Sequence, residues 1–362
     1  MNWETTIHLH KNQFSELEKP LAEFGGLHAS TFLYRSGVHG IRLKNELGQM
    51  IVLPFQGQQI WHLEFYGRTL TMKTMFDVPY IAPYLQTYGA FLIHCGATAM
   101  GVPGPDDTHP LHGELPNAPY QTAQLLIGED ARGRYMAITG LYQHTVAFAY
   151  NYMAKPCVKL YENSSQFSVQ FELENLKNSS MDFMYLSHVN FRPVDHGELK
   201  YSAKVSSQTV RVRTSIPSHV KPPKGYGEFL EQLAANPSLH HKLEPELGFD
   251  PEVVFFIDYL ADKDGWAHSL QIHPNGVSDY IAHKPSELDH GVRWISRTPD
   301  QDCLGIVLPS TAEPEGFSAE KAKGNIKTLA PHGKFSFSLE IGALEETQTK
   351  QIAAQIEALV SG

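Results

Sequence analysis

The sequence predicts a mainly β protein, built as a large antiparallel sandwich or barrel, and three observations support this class. Apolar and polar residues alternate with the period of two that is typical of strands, and they do so from end to end. The 28 glycines and 23 prolines are spread between these runs instead of forming a linker. Long helical patterns do not alternate with the strands, which argues against a parallel sheet covered by helices. We therefore expect one domain over residues 1–362.

The alternation is clearest in two segments. In "QFSVQFELENL", Phe167, Val169, Phe171 and Leu173 face one way, and polar residues face the other. The turn-forming stretch "LKNSSM" follows, and "DFMYLSHVNF" is predicted to return as the second strand of a hairpin. "KFSFSLEIGAL" repeats the pattern near the end of the chain. Further strands are expected near "HGIRLKN", "QMIVLPF", "YMAITGLY" and "LGIVLP".

Two segments depart from the strand pattern. Residues 224–247 predict a short helical insertion, and residues 345–359 predict a C-terminal helix. In the second segment Ile352, Ile356 and Leu359 share one helical face, so this helix should pack on the sheets.

Composition limits the partners and the compartment. Lys and Arg total 29 and Asp and Glu total 39, a net charge of −10, which disfavours nucleic acid and anionic membranes. No apolar run reaches the roughly 18 residues that span a bilayer, and the N-terminus lacks the pattern of a secretory signal. Cys95, Cys157 and Cys303 are few and far apart, which predicts neither disulfides nor a thiolate metal site. We expect a cytoplasmic protein of undetermined oligomeric state.

One loop concentrates groups that can move protons or bind metal. "HPLHGELPNAPY", residues 109–120, contains His109, His112 and Glu114 within six positions. The sequence has no P-loop, G-x-G-x-x-G, G-x-S-x-G or H-E-x-x-H motif. Any chemistry must therefore come from scattered His, Asp and Glu residues on a β scaffold.

The passages "PLHGELPNAP" and, some 70 residues later, "FMYLSHVNFRP" stand out in order and spacing. Together they resemble the aldose 1-epimerase (galactose mutarotase) superfamily. "VLPFQGQQIWHLEFYGRTL" and "FLIHCGATAMGVPG" resemble an uncharacterised bacterial branch of the same superfamily. The resemblance runs over most of residues 30–345. It implies a β-supersandwich with a sugar-binding cleft on one sheet and no cofactor.

The resemblance also implies roles for particular residues. Interconverting the anomers of an aldose requires a base for the proton of the C1 hydroxyl and an acid for the ring oxygen. The resemblance makes His188 the acid, His112 a substrate-positioning partner and Asp258 a substrate contact. His109 and Glu114 are expected to hydrogen-bond sugar hydroxyls. No basic cluster lies near these residues in the sequence, which argues against a phosphosugar.

The expected base is missing from its place. In the superfamily a glutamate near the C-terminus takes this role, but the matching position in "LGIVLPSTAEPEGF" is Leu308. Glu313 and Glu315, a few residues further on, are the candidates to replace it. Glu114 is the fallback, since it already belongs to the candidate loop.

Three hypotheses for the function remain open. The first is a carbohydrate epimerase, most simply an aldose 1-epimerase. The second is a metal-dependent sugar isomerase that uses His109, His112, Glu114 and His188 as ligands. The third is a non-catalytic carbohydrate-binding protein. Five aromatic residues are candidates to stack on a sugar ring: Trp61, Tyr80, Tyr84, Trp266 and Trp294.

Overall fold

The computed structural model describes residues 3–216 and 221–362. In that part of the chain, strands dominate. The strands are β1 (Trp3–Leu9), β2 (Lys19–Phe24), β3 (Leu27–Leu33), β4 (His39–Lys44), β5 (Gly48–Val52), β6 (Ile60–Phe65), β7 (Arg68–Thr69), β8 (Leu92–Ala97), β9 (Thr122–Asp130), β10 (Gly133–Val146), β11 (Tyr150–Tyr161), β12 (Gln166–Asn175), β13 (Met181–Val189), β14 (Glu198–Tyr201), β15 (Val210–Val212), β16 (Val253–Ile257), β17 (Ala267–Ile272), β18 (Ser278–His283), β19 (His290–Arg297), β20 (Asp302–Ser310), β21 (Lys327–Leu329) and β22 (Lys334–Leu344). The α-helices are α1 (Tyr226–Ala235), α2 (Phe317–Lys323) and α3 (Glu346–Ser361).

The strands form two antiparallel sheets. The first sheet has the order β1-β9-β10-β11-β12-β22-β18-β17-β14. The second has the order β15-β16-β19-β20-β13-β8-β6-β5-β4-β3-β2, with β21 paired to β13 and β7 paired to β6. The mainly antiparallel β architecture predicted from the sequence is confirmed.

Aromatic side chains join the two sheets face to face. The ring of Tyr185 on β13, in the second sheet, lies 4.8 Å from Phe171 and 4.7 Å from Phe337 in the first sheet. All three are almost fully buried and belong to a large hydrophobic core. Alternation explains the packing, because β12 and β22 each send every second side chain into the interface between the sheets.

The predicted hairpin between residues 166 and 191 is wrong. Both segments are strands, but β12 pairs with β11 and β22, whereas β13 pairs with β8 and β20. The burial patterns explain the difference. β12 is alternately buried and partly exposed, as suits a strand with one outer face, while β13 is buried at nearly every position. The turn formers after β12 therefore carry the chain across to the other sheet.

Both predicted helical segments are present. The insertion contains α1 and a short 3-10 helix, Pro237–His240, so its helical part is shorter than 224–247. α3 packs Ile352 and Ile356 against a small cluster with Leu270, Tyr280 and Leu344. α2 was not predicted from the sequence. In the described part of the chain, no helix is both long and apolar enough to cross a membrane.

Candidate functional site

A cavity of about 280 Å³ opens on the second sheet, close to the lower end of the roughly 300–1,000 Å³ typical of ligand pockets. Strands β13, β19 and β20 contribute His188, Trp294 and Leu308 to its wall. His112 enters from the loop 109–120. The ring centroids of His112 and His188 are 5.5 Å apart, so both imidazoles can contact one small ligand.

His112 is held in place by the glycine that follows it. Gly113 has φ +80°, and a Cβ atom there would lie 2.2 Å from the carbonyl oxygen of Ala99 and 2.3 Å from that of Gly96. His112 itself has φ +60°, and its carbonyl oxygen accepts a hydrogen bond from the Gly96 amide. Glycine at 113 is therefore a local requirement of the backbone, because a side chain there would meet the carbonyl oxygens of Gly96 and Ala99, and this close approach sets the position of His112.

The orientation of the His188 ring follows from its neighbour Asn190. The Asn190 side chain donates from Nδ2 to the carbonyl oxygen of Ala90 at 2.9 Å, which leaves Oδ1 directed at His188. Nδ1 of His188 lies 2.7 Å from that oxygen, so Nδ1 carries the proton and Nε2 is the proton-accepting nitrogen of the neutral ring. The rings of Tyr88 and Trp294 pack edge-on against the imidazole.

Burial makes the neutral imidazole the stable form of His188. Desolvation lowers the pKa of His188 to about 4, against the smaller opposing effects of the Asn190 hydrogen bond and the negative charge of Glu252. At neutral pH the ring is therefore ready to accept a proton.

Glu252 is the one carboxylate among the described residues that line this cavity. Its Oε2 accepts a 2.7 Å hydrogen bond from Nε1 of Trp294, and its Oε1 forms an ion pair with Arg213. Both partners are donors, so the site is built around the ionised carboxylate. The sequence analysis missed Glu252 and Arg213. The signal that was available was an acidic residue between Pro251 and the apolar run of β16.

The structure places Leu308, the residue found where a base was expected, in the cavity wall. Glu313 and Glu315 do not line the cavity, although Pro314 between them does. Both carboxylates instead bind the ammonium group of Lys323, together with Glu320. The nitrogen of Lys323 lies 2.6 Å from Glu313 and 2.8 Å from Glu320. A direct catalytic role for Glu313 or Glu315 would require this cluster to come apart.

His109 and Glu114 face away from His188 and line a different pocket. The Glu114 carboxylate accepts hydrogen bonds from the amides of Ala97 and Thr98, from the Thr98 hydroxyl and from Tyr152, at 2.5–3.1 Å. These bonds fix the loop to the end of β8 and to β11, and they occupy the carboxylate. His109 lies 3.6 Å from Asp107 and accepts a long hydrogen bond from the Phe317 amide.

Of the remaining candidates, two aromatic residues line the cavity and the others do not. Asp258 binds Arg211 at 2.9 Å on the surface and does not line the cavity. Tyr84 and Trp294 do line it, whereas Trp61, Tyr80 and Trp266 do not.

The four suggested metal ligands do not converge. His109 and Glu114 lie in one pocket, and His112 and His188 lie in the other. Within residues 3–216 and 221–362, the group of ligand atoms close enough to hold a metal ion is that of Glu313, Glu315 and Glu320. The ammonium group of Lys323 already binds all three carboxylates.

Solved structures with this fold identify the class of protein. A Klebsiella pneumoniae protein provisionally named an aldose 1-epimerase matches with a TM-score of 0.82 at 14% identity, covering 99% of this chain and 96% of its own. A galactose mutarotase-like protein from Clostridium acetobutylicum matches with a TM-score of 0.58 at 13% identity, covering 88% and 98%. An Escherichia coli K12 protein, also provisionally named an aldose 1-epimerase, matches with a TM-score of 0.53 at 13% identity, covering 83% and 97%. The chain therefore has the galactose mutarotase-like β-sandwich fold.

Sequence comparison places the chain in a family. It belongs to the family DUF4432, described as a domain of unknown function, whose sequence profile matches residues 35–343. None of the curated proteins matches the chain. At 13–14% identity the structural likeness establishes the fold, and the activity has to be argued from the cavity itself.

Proposed function

We propose that the chain is an aldose 1-epimerase that interconverts sugar anomers in the His188 cavity. The observation that carries this proposal is the environment of His188, a buried neutral imidazole whose accepting nitrogen is set by Asn190 and which lies near an anionic carboxylate.

Anomer exchange can be catalysed by a single group that accepts and returns a proton. Ring opening of a cyclic aldose moves one proton from the C1 hydroxyl to the ring oxygen as the C1–O5 bond breaks. Both oxygens are attached to C1, so a single imidazole can accept the proton from one and return it to the other. Rotation about the C1–C2 bond and reversal of these steps give the other anomer. A second base at position 308 is therefore not required.

This mechanism reverses the role that the sequence suggested for His188. With a pKa lowered to about 4, His188 begins as a base and becomes an imidazolium only during the reaction. The charge of Glu252 favours that imidazolium, and Asn190 accepts a hydrogen bond from it. Arg213 and Trp294 hold the Glu252 carboxylate in place. His112, on the same side of the cavity, is suited to position the sugar.

The test is anomer exchange measured by polarimetry or NMR on a panel of neutral and acidic aldoses. His188→Gln should slow exchange by about 10²–10⁴-fold while sugar binding persists. His109→Gln is the matched control, because His109 lies on the same loop as His112 but outside this cavity, and it should stay within a few-fold of the parent. Saturable sugar binding without exchange by the parent protein would instead support a non-catalytic carbohydrate-binding protein.

The pH profile tests the direction of proton transfer. If neutral His188 is the active form, kcat/KM is flat from about pH 8 to 5.5, after correction for spontaneous exchange. If the imidazolium were the active form, kcat/KM would rise about tenfold for each pH unit of acidification over this range, because the protonated fraction rises by that factor. Such a rise would overturn the proposed role of His188.

A further inference from the structure

The side chains that line the cavity carry more positive than negative charge. Arg213 and Lys221 line it together with Glu252, and they are the charged side chains that the described residues contribute. Glu252 is already paired with Arg213, which is itself only 9% exposed. Burial lowers the pKa of His188 to about 4, so at neutral pH this ring adds no charge to the cavity. The cavity thus has an excess of positive charge in a chain whose net charge is −10.

The hydrogen-bonding groups are similarly biased. Arg213 and Lys221 can only donate, whereas Glu252, the purely accepting side chain, already receives hydrogen bonds from the single N–H of Trp294 and from Arg213. Ser296 is also engaged, because it donates to the carbonyl oxygen of Pro251 at 2.8 Å. A neutral sugar offers many hydroxyl protons, which are best met by several free acceptors. This cavity offers a surplus of donors, which suits a ligand that bears an anionic group.

We infer that the substrate is an aldose with an anionic group, a carboxylate or a phosphate, that binds at the Arg213–Lys221 side of the cavity. This inference rests on the proposed anomer exchange and adds the substrate class. The absence of a basic cluster near the His112 and His188 motifs argued against a phosphosugar, but Arg213 and Lys221 lie outside those motifs in the chain and reach the cavity only by folding.

The test compares matched sugars in one exchange assay. Glucose, glucuronate and glucose 6-phosphate share a ring, and the last two separate a carboxylate from a phosphate. We expect kcat/KM for at least one anionic sugar to exceed that of glucose by about 10-fold or more at low salt, and the ratio to fall as ionic strength rises. Lys221→Gln should reduce that ratio several-fold, since one charge is lost. Lys224→Gln is the matched control, because Lys224 is exposed, lies three residues away and does not line the cavity.

The outcomes separate this inference from the proposed function. Exchange of glucose at least as fast as of both anionic sugars would overturn the inference and leave the epimerase proposal intact. Tight binding of an anionic sugar without exchange, measured by calorimetry and weakened by Lys221→Gln, would support the substrate class and overturn the epimerase. Equal effects of Lys221→Gln and Lys224→Gln would also overturn the inference, because a general surface charge would then explain the preference. Thermal melting checks that both variants remain folded.

Discussion

His112 and Glu114 are two residues apart in one loop, yet they face different cavities and have opposite kinds of environment. His112 lies beside His188 in one cavity, and the carboxylate of Glu252 lines the same cavity. Glu114 accepts hydrogen bonds from two amides and two hydroxyls, which fix the loop to the end of β8 and to β11. A carboxylate with four structural donors positions the backbone, whereas one beside an imidazole can influence proton transfer. The environment of each acidic residue, more than its place in a motif, indicates its role.

The largest effect expected from this comparison is on activity. Glu252→Gln removes the charge that favours the His188 imidazolium, so anomer exchange should slow by about 10²–10³-fold. Glu114→Gln should leave the exchange rate within about tenfold and lower the stability instead, because its donors then face a weaker acceptor. Exchange kinetics and urea unfolding of the two variants provide the measurement. If Glu114→Gln slowed exchange as much as Glu252→Gln, the structural role assigned to Glu114 would be contradicted.

The next effect is on the fit of the loop against β8. Gly113→Ala would place a methyl group against the carbonyl oxygens of Ala99 and Gly96, at a positive φ. We expect it to lower the free energy of unfolding by roughly 2–3 kcal/mol and to slow anomer exchange by displacing His112.

Gly37→Ala is the matched control for this substitution. Gly37 also has a positive φ, +83°, but no atom lies within 4 Å of an added Cβ. It should show only the conformational cost, about 1 kcal/mol, and normal exchange. If Gly113→Ala and Gly37→Ala lowered the free energy of unfolding equally, as measured with urea, the close approach of Gly113 to β8 would not affect stability.

The smallest effect, counted per residue, is the contribution of each buried histidine to the pH dependence of stability. Burial lowers the pKa of His188 to about 4 and that of His94 and His283 to about 3. As the pH falls below about 6.5 the unfolded chain binds protons that the folded chain does not, so stability decreases. The expected loss is about 1.4 kcal/mol per pH unit for each of these histidines. Unfolding by urea at pH 7, 6 and 5.5 measures it, and His283→Leu should make the slope shallower by about 1.4 kcal/mol per pH unit, the contribution of one histidine.

Local pattern was sufficient to predict the fold class. Alternation identified β12 and β22, and helical spacing identified α3. Pairing was harder to predict, as β12 and β13 show. Whether a strand continues in its own sheet or crosses to the next depends on the burial of both its faces, which a short turn sequence does not specify.

The candidate site was only partly predictable for the same reason. The His112 and His188 motifs stand out because backbone constraints at Gly113 and on β13 give them recognisable local sequences. The local sequences around Glu252 and Arg213 contain no comparable motif. They meet through pairing of β15 with β16, a contact between residues about forty positions apart, and neither residue type is unusual at the end of a strand.

The two walls of the cavity differ in how the backbone supports them. His188 lies on β13, an interior strand paired with β8 and β20, so exposing its backbone requires most of the second sheet to unfold. Arg213 follows β15, a three-residue strand at the edge of that sheet, and Glu252 precedes the neighbouring β16. Edge strands open locally at a lower free energy than interior strands, and their amide hydrogens exchange sooner with solvent. Under mild denaturing conditions the site should therefore lose its Arg213–Glu252 pair while the backbone around His188 is still protected from hydrogen exchange.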